Sequence, residues 1–229
     1  MLPAWVIRVI ELTQLPSFLY VQRVKGFQVP SAPHFDSEST DYFTARLRAA
    51  TSYLEFGSGG STVLAAREGK RFVTVDSDTY FLKAVRDKIR TVVGDVGLAQ
   101  GRFIPVDIGC TQGWGVPIFR PPTSERLKRW KRYFLAPWEE CGDSFAPELI
   151  LIDGRFRVAC ALATIQALRD HRNWEICVDD YLGRAYYREI ELFARLDRMV
   201  GRMAVFKPLK ESKPEALQEA LERYSRDWR

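Results

Sequence analysis

The sequence predicts an α/β fold, a doubly wound parallel sheet with helices on both faces. Three observations carry this. Short apolar runs alternate with segments of helical period along most of the chain. One run, "ELILID", is apolar without a break between its acids, as a central strand covered on both faces must be. Finally, an acid closes run after run: Glu55, Asp76, Asp107, Asp153, Asp179 and Asp180. Right-handed crossovers place such tips along one edge, where open sheets of this kind bind ligands.

The elements follow in order. Residues 1–36 form an N-terminal arm or lid, and 37–229 the main domain, with an insertion at about 108–147. Ser37 to Ala50 has Phe43, Leu47 and Ala50 at helical spacing. "SYLEF" is a strand, and "STVLAAREG" a helix stopped by Gly69. "RFVTVD" is the second strand. Thr79 to Val92 is a helix that turns Phe81, Leu82, Val85 and Ile89 inward. "GRFIPVD" makes the third strand and "ELILID" the fourth. Arg157 to Arg169 is an Ala-rich helix, "WEICVDD" the fifth strand, and Ala185 to Leu196 another helix. "GRMAVFKP" is the last strand, and Pro214 to Tyr224 a terminal helix.

Bulk properties bound the function. The length of 229 residues suits one domain with an insertion, and 46% hydrophobic content excludes wholesale disorder. A net charge of +5 is modest; nucleic acid is a possible partner but not the favoured one. The four cysteines show no C-x-x-C spacing, and Cys160 and Cys177 sit in apolar segments. They read as reduced core residues of a cytoplasmic protein rather than disulfides or zinc ligands. The greasy N-terminus is broken by Arg8, Glu11 and Pro16, short of the roughly 20 apolar residues that span a bilayer. It is expected to pack on the domain or to mediate a homodimer.

The stretch "YLEFGSGGST" is the first candidate site. Glycines after a strand let backbone approach a ligand, and the next helix offers N–H groups to an anion. The turn comprises Gly57, Ser58, Gly59, Gly60, Ser61 and Thr62. Glu55 beside it would repel a pyrophosphate but favour an ammonium next to a carboxylate, as in an amino acid. Asp76, followed by Ser77, stands where an acid accepts hydrogen bonds from ribose hydroxyls. Ribose and amino acid together point to S-adenosylmethionine. Asp107 is then expected to accept from the adenine amino group, with Ile108 packed on the ring.

These segments resemble the class I S-adenosylmethionine-dependent methyltransferases. "LEFGSGGST" is similar to their first motif, "VTVD" to their second, and "LILIDG" occupies the place of the fourth. The resemblance, over roughly Ser37 to Pro208, implies a Rossmann-like sheet, mostly parallel with a terminal antiparallel strand. The chain, with "EFGSGGST", "DGRFRVACAL" and "DDY", also resembles a group of bacterial superfamily members that carry "EYGSGGST", "DGRFRVACAL" and "DDY", which says nothing of substrate. A nicotinamide-dependent oxidoreductase fits less well. Thr62 stands where that fingerprint has Gly, and no Tyr-x-x-x-Lys relay is evident.

The chemistry is expected at "LIDGRFR" and "CVDDY". Asp153 and Asp180 are candidate catalytic residues. With Asp179 they also form a candidate Mg²⁺ site, because neighbouring strand tips lie about 4.8 Å apart. The pattern is similar to metal-dependent macrolide sugar O-methyltransferases, which implies those three ligands, but Arg155 replaces that family's second acid. A cation there would neutralise the cluster and remove the need for metal. A third reading has Asp179 cap the next helix and Asp180 pair with Arg184. His34 precedes the domain, where superfamily members fold a lid over the acceptor.

The insertion alternates Trp114, Trp130, Tyr133, Phe134 and Trp138 with arginines and lysines. It reads either as a stacking surface for a sugar or base, or as a helix from about Thr123 to Leu135 with its aromatic side buried. The function these features suggest is methyl transfer to an oxygen of a small-molecule or carbohydrate-like acceptor. The alternative is an inactive binding module for nucleic acid or an envelope-assembly partner.

Overall fold

The computed structural model describes residues 13–142, 145–209 and 213–229. The first twelve residues of the expected arm lie outside these. Residues 13–20 are helical (α1) and run into a π-helical turn, Val21–Lys25. The order is then α2 (Ser37–Ala49), β1 (Ser52–Phe56), α3 (Gly60–Arg67), β2 (Arg71–Asp76), α4 (Thr79–Val92), α5 (Asp95–Ala99) and β3 (Gly101–Pro105). A short hairpin, β4 (Thr111–Gln112) and β5 (Val116–Pro117), precedes α6 (Ser124–Cys141). The chain continues with β6 (Leu149–Ile152), α7 (Arg157–Ala167), β7 (Glu175–Val178), β8 (Ala194–Val200), β9 (Met203–Pro208) and α8 (Pro214–Tyr224).

Seven strands form one sheet in the order β3-β2-β1-β6-β7-β9-β8. All pairs from β3 to β7 are parallel, and β9 runs antiparallel to both its neighbours. β1 lies between β2 and β6, with Leu54 opposite Val73 on one side and Ile150 on the other. Strand order reverses there, so the crevice above the tips of β1 and β6 is where a ligand can enter between the connections.

Period-2 alternation divides the core between the faces of the sheet. Leu54, Phe56, Val73 and Val75 pack with Trp130 and Tyr133 of α6, with α7, and with Leu217 of α8. Tyr53, Phe72, Leu149 and Leu151 pack with Phe43 and Leu47 of α2, with α3, and with Val85 and Ile89 of α4.

Two expectations are corrected. The helix expected from Ala185 to Leu196 is a 3-10 segment, Ala185–Leu192, followed by strand β8. The alternation in "ARLDRMV" is masked by arginines on an edge strand, where long charged side chains belong. The insertion is also more ordered than its Pro-rich composition suggests. It folds as the β4–β5 hairpin and an 18-residue helix that carries Pro137 within it. The structure follows the second reading of that helix: Trp130, Tyr133 and Phe134 are buried. On its outer side Arg129 pairs with Asp107 and Glu125, and Lys131 with Glu222.

Candidate active site

A cavity of about 690 Å³ opens over the strand tips at the switch point. Gly57 and Ser58 after β1, Asp76 to Asp78 after β2, Asp153 to Arg155 after β6, and Asp179 and Asp180 after β7 all contribute to its wall. Phe18 and Phe27 of the N-terminal segment and Phe81 of α4 form an aromatic side, with Phe27 and Phe81 edge to face at 5.2 Å. Gln22 fastens this segment by donating to Asp78 at 2.8 Å.

The glycine turn is tighter than a simple anion cradle. Gly57 has φ +99°, and a methyl group on it would come within 2.6 Å of the Gly154 nitrogen. Its two tips, β1 and β6, thus touch backbone to backbone, which only glycine allows. Three turn amides are already used: Gly57 donates to the Val75 carbonyl at 2.9 Å, Ser58 to Asp76 Oδ2 at 2.9 Å, and Gly59 to Thr62 Oγ1 at 2.8 Å. Gly60 lies under the Ala32 carbonyl of the N-terminal segment.

Glu55 does not line the cavity. It is fully buried beneath the turn. Tyr53 and Ser61 each donate to it at 2.7 Å, and Thr62 donates to its other oxygen. Burial pushes its pKa up, while these hydroxyls hold it down. Thr62 therefore does what glycine could not: its hydroxyl joins Glu55 to the Gly59 amide.

Asp76 is at the cavity wall, nearly buried, with Oδ1 accepting from the Asp78 amide at 2.9 Å and Oδ2 from Ser58. Burial raises its pKa to about 7 despite those two amides. The carboxylate is rigidly aimed and retains free lone pairs for a hydroxyl donor. Ser77 is on the same wall. Asp107, by contrast, is off the cavity. Its side chain is 68% exposed, pairs with Arg129 at 3.0 Å and accepts from the Gly109 amide at 2.7 Å. Ile108 is buried and its carbonyl receives the Trp130 indole N–H at 3.1 Å.

Asp153, Asp179 and Asp180 do converge, but each meets guanidinium groups. Asp179 is buried and takes both of its bonds from Arg202, Nε at 2.9 Å and a terminal nitrogen at 2.7 Å. Asp153 takes Arg157 at 2.9 Å. Asp180 lies 3.1 Å from Arg184 and 3.3 Å from Arg202. Arg157 is itself buried and also donates to the carbonyls of Asp153, Gly154 and Asp179. It thereby ties the β6 and β7 turns together. This donor set does not fit Mg²⁺: the oxygens a cation would need are held by bidentate or shared arginine bonds, and among the described residues no group of His, Cys, Asp and Glu is arranged to hold a metal. The neutralising cations are Arg157, Arg184 and Arg202 rather than Arg155.

Asp153 keeps a third of its side chain open to the cavity. Desolvation raises its pKa, Arg157 opposes this, and the charges of Asp179 and Asp180 push the same way as burial. Asp180 adopts φ +53°, a left-handed conformation that Asp tolerates better than most residues. Phe156, at φ +55°, donates its amide to the Trp228 carbonyl at 3.2 Å, so the C-terminal segment braces the Asp153 turn.

Several of these residues escape sequence reasoning. Arg157 leaves one trace, a lone cation opening an apolar helix four residues after Asp153. Arg202 leaves none, since it reaches Asp179 from the turn of the β8–β9 hairpin. Trp114, at φ +63° on the β4–β5 tip and 86% exposed, stands at the mouth of the cavity. His34 lines the wall opposite, and its carbonyl accepts from Arg202 at 2.6 Å.

No family model matches the chain, and no curated protein does. Among solved structures, the chain is similar to a methyltransferase-like protein from Silicibacter pomeroyi DSS-3, with 28% identity and a TM-score of 0.74 over 87% of this chain and 100% of that one. Looser overlaps are with cofactor-bound Rv0187 from MTB (17%, TM-score 0.49, 84% of this chain and 88% of that one), and with an O-methyltransferase from Bacillus cereus in complex with SAH (14%, 0.45, 86% and 91%). Strand order, the switch-point cavity and the first of these likenesses together support the class I S-adenosylmethionine-dependent methyltransferase superfamily for this chain.

Proposed function

We propose that the protein transfers a methyl group from S-adenosylmethionine to an oxygen of a small-molecule or carbohydrate-like acceptor. The observation that supports this most is the pair of carboxylates on the wall of one cavity. Asp76 is aimed by two amides at the β2 tip, and Asp153 is about one-third open at the β6 tip, across the switch point. Asp76 suits a ribose diol, and Gly57 and Ser58 bring backbone beside the methionyl portion. S-Adenosylmethionine supplies a methyl carbon bonded to a positively charged sulfur, so the protein mainly positions and desolvates.

Asp153 is then the base. It receives the acceptor hydroxyl proton as the oxygen bonds to the methyl carbon and the sulfur keeps the electron pair of the broken bond. Its raised pKa favours that proton, and Arg157 keeps the carboxylate in place. Asp180, in the same wall, orients the acceptor. Phe18, Phe27 and Phe81 exclude water from the charged sulfur.

The test is release of S-adenosylhomocysteine from S-adenosylmethionine across a panel of hydroxylated sugars and small hydroxy compounds. The expected result is turnover with at least one acceptor and, for Asp153→Asn, a rate lower by about 10²-fold or more with S-adenosylhomocysteine affinity nearly unchanged. Equal rates for the variant and the parent would return Asp153 to a structural role.

A further inference from the structure

Five carboxylates and four guanidinium groups line the cavity, and the contacts between them leave one guanidinium out. Asp153 has Arg157, Asp179 has Arg202 and Asp180 has Arg184, so three acids are matched by three guanidinium groups. Asp76 and Asp78 are satisfied by amides and by Gln22. One cation remains. Among the described residues no carboxylate lies within ion-pair distance of Arg155, and its buried Nε has no hydrogen-bond partner.

Arg155 lines the cavity, and its Cγ lies 3.6 Å from where a methyl group on Gly115 would stand, directly beneath the Trp114 hairpin. Burial and the neighbouring Arg157 lower its pKa, more than Tyr133, Tyr187 and Asp153 raise it. A guanidinium placed out of water beside another, with a donor unused, costs stability unless something binds it. Of the glycine turn only Gly57 and Ser58 line the cavity, and both of their amides are already donated within the chain.

We propose that Arg155 is the anion-binding residue of the cavity and pairs with a carboxylate or phosphate oxygen of a bound ligand. A planar guanidinium fits such an oxyanion through two parallel bonds. The chemistry has two sources here: an anionic group on the acceptor, or the carboxylate of the cofactor's amino-acid end. The inference rests on the unpaired cation and not on methyl transfer.

The experiment uses the full chain, Arg155→Gln and Arg155→Lys, with thermal melting and calorimetry. The probes are inorganic phosphate, and S-adenosylhomocysteine with and without phosphate. Without ligand, Arg155→Gln is expected to melt no lower than the parent, since it removes an unpaired charge, so a loss of binding is not a loss of fold. Millimolar phosphate is expected to raise the melting temperature of the parent and not of Arg155→Gln, with Arg155→Lys between them. If Arg155→Gln loses phosphate binding and keeps S-adenosylhomocysteine affinity, the anion belongs to the acceptor. If it instead weakens S-adenosylhomocysteine tenfold or more, the anion is the cofactor's carboxylate. Parent and Arg155→Gln responding alike to both probes overturns the proposal. Failure of the parent to bind S-adenosylhomocysteine would sink the methyl-transfer reading while leaving the phosphate comparison intact.

Discussion

At the scale of single residues, the acids at the strand tips divide into three uses. Glu55 is a buried brace for the glycine turn, Asp107 a surface partner of Arg129, and only Asp76, Asp153, Asp179 and Asp180 face the cavity or its arginines. The sequence places all of them at one edge, because strand ends are legible. It does not say which way each side chain turns, because that depends on how partners fold around it: the hydroxyls of Tyr53, Ser61 and Thr62 close over Glu55, and Arg202 comes from another strand pair to Asp179. Gly57 is legible as a tight position, but the reason is the Gly154 backbone at 2.6 Å rather than the ligand alone. Gly57→Ala is therefore expected to destabilise the protein by about 1–3 kcal/mol, measured by urea denaturation, even without ligand. An unchanged denaturation midpoint would contradict the close approach. Asp76 gives a pH dependence. Its pKa of about 7 means that it gains a proton as pH falls through neutrality. A ribose hydroxyl donates best to the charged form, so S-adenosylhomocysteine affinity is expected to fall as pH drops from 8 to 6. Asp76→Asn should bind weakly and with a flat profile over that range.

At the scale of elements, the parallel half of the sheet is readable from β1 to β7 because each strand is a bounded apolar run followed by an amphipathic helix. The β8–β9 hairpin is only half readable: β9 is apolar and buried, whereas β8 is an edge strand dominated by arginines. What the hairpin does could not be foreseen. It brings Arg202 to the buried Asp179 and its amide to Asp36, the N-cap of α2. Arg202→Ala is expected to cost about 3 kcal/mol, because it strands Asp179 without a counter-charge; denaturation of the single variant and of Arg202→Ala with Asp179→Asn checks this. The double variant should recover part of the loss. Helix α6 teaches the same lesson from the other side. Its composition suggests a ligand surface, but Trp130 lies under the sheet with its N–H on the Ile108 carbonyl. Trp130→Phe keeps an aromatic ring but loses that bond and part of the buried volume, and is expected to cost about 1–3 kcal/mol. Reversing the charges of Lys128 and Arg132 should change stability by no more than about 0.5 kcal/mol.

At the scale of the molecule, a cavity of about 690 Å³ stands at the switch point of a parallel sheet, roofed by the N-terminal aromatics and the Trp114 hairpin. Among the described residues no helix is long and apolar enough to cross a membrane. Because guanidinium groups hold the carboxylates beside the cavity, ligand binding is expected to be indifferent to chelators. Calorimetric titration after exhaustive EDTA treatment should match titration in Mg²⁺, and a large gain on adding Mg²⁺ would mean that the arginines give way. The central claim is occupancy of that cavity by the methyl donor's nucleoside. The direct measurement is calorimetry of the full chain with S-adenosylhomocysteine, set beside Asp76→Ala and beside NAD. The account predicts saturable binding of one nucleoside per chain, lost in Asp76→Ala, with no heat from NAD. No binding to the parent at saturating ligand, or equal binding to Asp76→Ala, would contradict it.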